Sequence, residues 1–116
     1  MKWKTTALIV QYTTYSIADP CTGDIVYVGQ TANFEQRKKS HLRLKKRPNI
    51  KTMNIKTWLH DLISDGKVPV IAILETVETE EESLVSETKW VEKFAKEGHP
   101  LLNRWNMHRN LIKHYA

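Results

Sequence analysis

Residues 8–31 read LIVQYTTYSIADPCTGDIVYVGQT, and the order of residue types in this stretch decides the fold. Its first part, Leu8 to Ile17, is crowded with β-branched and aromatic side chains, which stand well on a pleated strand. The run Asp19-Pro20-Cys21-Thr22-Gly23-Asp24 then combines a fixed φ with a glycine and two aspartates, the composition of a turn. Ile25 to Gly29 reads as a second short strand, so the two form a hairpin. A loop centred on Cys21 sets Tyr15 opposite Tyr27, with both rings on one face.

Beyond the hairpin the period changes. Asn33 followed by Gln36 has the spacing of a capping box and opens a helix that must end before Pro48. Its inner stripe holds Phe34, Arg37, His41 and Leu44, so two polar side chains sit among apolar ones. Ile55, Trp58, Leu59, Leu62 and Ile63 follow the i, i+3, i+4, i+7, i+8 rule and predict a scaffold helix closed by Gly66. Val68 to Val77 is almost continuously apolar, which predicts a third strand covered on both faces, with Pro69 at its start or on an edge. Thr79 with Glu82 makes a second capping box, and the helix that follows runs to about Glu97, where Gly98 and Pro100 stop it. Its apolar stripe comprises Leu84, Val91, Phe94 and Ala95, with Trp90 at the edge; Glu87 falls inside that stripe. Leu101-Leu102-Asn103 and a basic, amphipathic tail complete the chain.

The expected architecture is an α+β fold: a small, three-stranded, mainly antiparallel sheet flanked by helices, in the order β-β-α-α-β-α, with a basic C-terminal tail. The length suits one domain across 1–116, its core at about 8–104 and its tail at 105–116. Eighteen Lys and Arg against 13 Asp and Glu give a charge of +5 and a pI near 9.4, a balance that favours a polyanionic partner. The single Cys21 rules out an internal disulfide and suits a reducing cytoplasm. The apolar stretch Ala7 to Val10 is too short for the core of a signal peptide, and no apolar run is long enough to insert into a membrane as a helix. The five histidines share no metal-ligand spacing with Cys21, so no zinc site is expected.

Three features lack a packing explanation: the hairpin tyrosines, Arg37 and His41 on one inner stripe, and Glu87 on another. A structural reading pairs Arg37 with Glu87 and lets the tyrosines simply pack. Another reading emerges from their spacing. Thr13-Thr14-Tyr15, eleven residues, then Tyr27-Val28-Gly29-Gln30-Thr31, followed by Arg37, His41, Glu87 and Leu101-Leu102-Asn103, resembles the signature of the GIY-YIG nucleases over roughly residues 8 to 104. The first motif departs from the pattern, with Thr-Thr-Tyr in place of Gly-Ile-Tyr.

The resemblance implies a DNA endonuclease that hydrolyses phosphodiester bonds with a single divalent ion, Mg²⁺ or Mn²⁺. Glu87 would hold that ion, and Arg37 would stabilise the pentavalent phosphorus through a forked contact that Lys cannot copy. Tyr15 would be the general base and Tyr27 would position the water or phosphate, or the two roles are exchanged; either base needs cations nearby, because a free Tyr titrates near about 10. His41 would lower that value, accept a proton or touch phosphate. Asn103 orients the site or is structural. Beside such a centre, Lys38, Lys39, Arg43, Lys45, Lys46 and Arg47, with Arg104 and Arg109 of the tail, become contacts to the DNA backbone. One site cuts one strand, so a homodimer is one way to cut both. The alternative keeps the fold and drops the chemistry: a catalytically inactive nucleic-acid-binding or regulatory module, favoured if Thr13-Thr14 distorts the first strand.

Overall fold

The computed structural model describes residues 10–48 and 54–103. Strands β1 (Tyr12–Ala18), β2 (Ile25–Thr31) and β3 (Val70–Val77) alternate with helices α1 (Phe34–Leu42), α2 (Ile55–Ser64) and α3 (Glu80–Lys96) in the expected order. The strands form one antiparallel sheet, ordered β2-β1-β3. Among the described residues no helix is long and apolar enough to cross a membrane. The first residues of the expected strand, Leu8 and Ile9, and the tail with Arg104 and Arg109 lie outside the described residues.

The central strand is β1, where Thr13 to Ala18 are all buried. Its alternation sends Tyr15 and Ile17 to one face, where Val26, Leu59, Phe34, Ile55 and Trp58 pack with them. The opposite face carries Val28 against Val91 and Phe94 of α3. The outer edge of β2 is sealed by the segment after α3: Ile25 N donates to His99 Nδ1 (3.0 Å), Leu102 N to Val26 O (2.7 Å) and Val28 N to Asn103 Oδ1 (3.0 Å). This leaves fewer edge groups of β2 open to pairing with another chain.

The Thr79 capping box forms as the sequence indicates; at Asn33 only the cap bond forms, since Gln36 reaches the Asn33 side chain and not its backbone N–H, and Asn54 is an additional cap. Asn33 accepts from Gln36 N, Asn54 accepts from Thr57 N, and Thr79 and Glu82 bond reciprocally at the start of α3. Five further expectations need correction. The first strand begins at Tyr12 because β3 ends opposite it at Val77; Val10 has no partner strand and is half exposed. The hairpin register sets Tyr15 opposite Gly29 and Tyr27 opposite Ile17, so the tyrosines are diagonal neighbours on the same face. Asp19 closes the loop around Gly23 (φ +79°), and a shift between Ile17 and Ala18 moves the centre of pairing past Cys21. Helix α1 stops at Leu42, leaving Leu44 exposed rather than on the inner stripe; continuing it would stack Lys39, Arg43 and Arg47 at i, i+4.

The fourth correction concerns β3, which lies at the edge of the sheet. Val70 and Ile73 are exposed instead of covered on both faces, and of this strand's apolar residues Ile71 and Leu74 join the core clusters. The face of α3 differs in a related way, since Ser83, Ser86 and Thr88 are buried and Ala95 is exposed. These small hydroxyls are bonded: Ser83 to Glu80 O (2.8 Å), Thr88 to Leu84 O (2.8 Å) and Ser86 to Glu75 (2.6 Å).

Candidate active site

The centre of the site is the phenol of Tyr15, whose side chain is fully buried in the middle of β1. Its ring lies over Gly29 on β2, where an added Cβ would fall 2.6 Å from the Tyr15 oxygen and 2.8 Å from the Tyr27 ring. Only glycine fits beneath the two rings. Tyr27, Phe34 and His41 enclose Tyr15 with ring centroids at 6.4, 6.0 and 5.6 Å. Tyr15 Oη hydrogen-bonds His41 Nε2 at 2.8 Å, joining β1 to the last turn of α1.

Arg37 stands one turn before His41 and is exposed, so its guanidinium sits at the mouth of this cluster. Burial raises the Tyr15 pKa well above the usual tyrosine range, and the proximity of Tyr27 adds to that; Arg37 pulls the other way and does not win. Burial also raises Tyr27, followed by the charge of Glu87. His41 is pushed down to about 4 by burial and by the cations Arg37 and Lys45, so near neutral pH it is an uncharged imidazole. Glu87 on α3 is half-buried, and burial lifts its carboxyl to about 7. Its charge also raises Tyr15, which places it electrostatically within the same cluster. The structure thus brings Tyr15, Tyr27, Arg37, His41 and Glu87 together from β1, β2, α1 and α3.

A family model for the GIY-YIG catalytic domain matches residues 11–100. The chain belongs to the GIY-YIG nuclease family. No curated protein and no solved structure matches it. Nucleases of this family depend on divalent metals in general. Among the described residues no group of three or more His, Cys, Asp or Glu could hold a metal. A single carboxylate, Glu87, completed by water and phosphate oxygens, is the donor pattern that Mg²⁺ accepts.

The departure in the first GIY-YIG motif is accommodated. Thr14 is fully buried on the face opposite Tyr15, and its hydroxyl bonds Ser86 at 2.7 Å. Ser86 in turn donates to Glu75, which also accepts from Trp90 Nε1 (2.8 Å) and pairs with Lys89 (2.9 Å). These donors hold the Glu75 carboxyl down at about 2. Where Thr14 pairs with Glu75 and Tyr15 with Ile73, Leu74 is an extra residue in β3, so the ladder bulges beside the motif. The sequence reading did not single out Glu75. Its one available signal was that it interrupts an apolar run.

Asn103 lies at the outer edge of β2, where its amide accepts from Val28 N at 3.0 Å and donates to Val28 O at 2.7 Å. Both polar ends therefore grip the residue between Tyr27 and Gly29. The cations divide into groups. Arg43, Lys45 and Lys46 line a cleft of about 430 Å³ between α1 and α2, together with Arg37, His41 and Tyr27. Lys39 borders an adjoining hollow with Arg37 and Arg43, and Lys38 is half-buried on α1. Arg47 makes a forked contact with Asp61 at 3.1 and 3.4 Å. Lys56 and His60 of α2 also line the cleft and were not foreseen, although their i, i+4 spacing on one helix face was readable.

Proposed function

We propose that this protein is a metal-dependent DNA endonuclease that hydrolyses phosphodiester bonds with one divalent ion, Mg²⁺ or Mn²⁺, acting as a single domain. The observation that carries this reading is the 2.8 Å bond between Tyr15 and a neutral His41, with Arg37 and Glu87 acting on the same phenol. Tyr15 is protonated at rest, so it works as a relay rather than as a standing base. With the His41 proton on Nδ1, its hydroxyl donates to His41 Nε2. A water attacking phosphorus passes its proton to Tyr15 Oη while the phenol proton moves to His41. A P–O bond forms to the water oxygen, the P–O bond to the leaving oxygen breaks, and that oxygen takes a proton from solvent.

Arg37, exposed at the mouth of the cluster, offers its forked donors to the phosphoryl oxygens as their charge grows. Tyr27 packs at 6.4 Å from both Tyr15 and His41 and orients the water or the phosphate. Asn103 fixes the strand that carries Tyr27 and Gly29. Glu87 would hold the divalent ion, which when bound supplies Lewis-acid neutralisation of charge.

A plasmid-nicking assay with and without Mg²⁺ tests the proposal, using wild type, Tyr15→Phe, Arg37→Ala and Glu87→Ala. The expected result is metal-dependent nicking that all three variants lose. A wild type inert on supercoiled, single-stranded and branched DNA would leave a binding module in place of an enzyme.

A further inference from the structure

We propose that the cleft between α1 and α2 is a second phosphate subsite, seating the sugar-phosphate backbone of the cut strand on one side of the scissile bond, with Lys56 and His60 as its far wall. This rests on the DNA-cleaving reading above. Among the described residues, five Lys and Arg line the cleft and no Asp or Glu does. The nearest acid on α2, Asp61, is engaged by Arg47 at 3.1 Å and by His60 Nδ1 at 3.3 Å, so it is bound at the rim. That clasp ties the loop after α1 to α2 and keeps the two walls together.

The cleft is continuous with the reacting centre, because Tyr27, Arg37 and His41 belong to both. A phosphodiester held by Arg37 must continue into a neighbouring phosphate, and the cleft is a cationic path leading from that point. Crowding of like charge adds a second argument. Lys45 is pushed below the usual lysine range by burial and then by Arg43, Lys56 and Arg37, while its ammonium donates to Ser40 Oγ at 2.8 Å. Cations held this close repel one another, and a polyanion entering between them relieves that repulsion. A nucleic-acid backbone supplies such successive negative charges, and the cleft opens onto the centre where Arg37 would hold the neighbouring phosphate.

The test is DNA binding by the wild-type chain in EDTA, read by fluorescence anisotropy across a salt series. Each phosphate contact contributes about 0.9 to the slope of log K against log salt. Lys56→Ala and Lys45→Ala are each expected to lower that slope by about 1, whereas Lys67→Ala, in the turn after α2 and outside the cleft lining, leaves it unchanged. Neutral methylphosphonate linkages are then placed one at a time along a short duplex. At one flanking position wild type should lose affinity and Lys56→Ala should lose nothing further. Slopes unmoved by both cleft substitutions, losses that add at every position, or no DNA binding at all overturn the subsite. A chain that cleaves DNA yet ignores Lys56 and Lys45 refutes the subsite alone. A chain whose binding depends on Lys56 but which never cleaves refutes the nuclease reading alone.

Discussion

Glu75 faces helix α3 from the sheet and Glu87 belongs to that helix, and their surroundings drive the two carboxyl groups in opposite directions. Glu75, on β3, receives Ser86, Trp90 and Lys89 and is held at about 2. Glu87, on α3 itself, is lifted to about 7 by burial. The first is a carboxylate whose charge the fold has already satisfied, and it fastens α3 to the sheet. The second is half-buried, and that burial favours its protonated form.

The sharpest way to break this comparison is to neutralise each acid in turn. Glu87→Gln should reduce metal-dependent cleavage on the order of 10²- to 10³-fold, the scale of losing one electrostatic stabiliser, with the folded state intact. Glu75→Gln should retain cleavage while lowering stability by about 1–2 kcal/mol, because Trp90 and Ser86 lose a charged acceptor. Rates from nicking kinetics and midpoints from urea unfolding decide between them. The reverse pattern would exchange the roles assigned to the two acids. Gly29→Ala is expected to act at the next scale. The added methyl must displace the Tyr15 phenol, and a shift near 1 Å costs about 10²-fold in rate. Cleavage by this variant within a few-fold of wild type would show that the Tyr15 position is not critical.

Much of this was legible because it is local. The turn chemistry between β1 and β2, the Asn33 and Thr79 caps and the 3.6-residue period of α2 each depend on residues a few positions apart. The cluster was legible through its spacing, since Tyr15, His41 and Glu87 fall on inward faces and Arg37 stands one turn before His41 at the mouth. Other features depend on distant partners. The register slipped past Cys21 because Asp19 ties the loop around Gly23, and no count of residues between two tyrosines reports that. The apolar run of β3 looks the same from sequence whether the strand is central or at an edge. Glu75 reads as an ordinary edge-strand acid until Ser86 and Trp90, 11 and 15 residues later, arrive on α3. The gap between His41 and Tyr15, 26 residues, likewise hides that the two are hydrogen-bonded.

The smallest expected effect is one of cancellation. His41 titrates near 6.5 when unfolded and at about 4 in the fold, so between those values the unfolded chain binds the extra proton and stability rises with pH. Glu87 titrates near 4.5 when unfolded and at about 7 in the fold, so there the folded chain binds the extra proton and stability falls as pH rises. Between about pH 4.5 and 6.5 the two contributions oppose one another, and together they add almost no slope. Replacing Glu87 with Gln removes one of them. Urea unfolding across that window should show Glu87→Gln gaining stability relative to wild type as pH rises, by at most about 1.4 kcal/mol per unit. The gain should stop above about pH 7, where Glu87 is ionised in both states of the wild type. Parallel profiles for the two proteins would mean that burial does not hold a proton on Glu87, and the contrast in protonation with Glu75 would collapse.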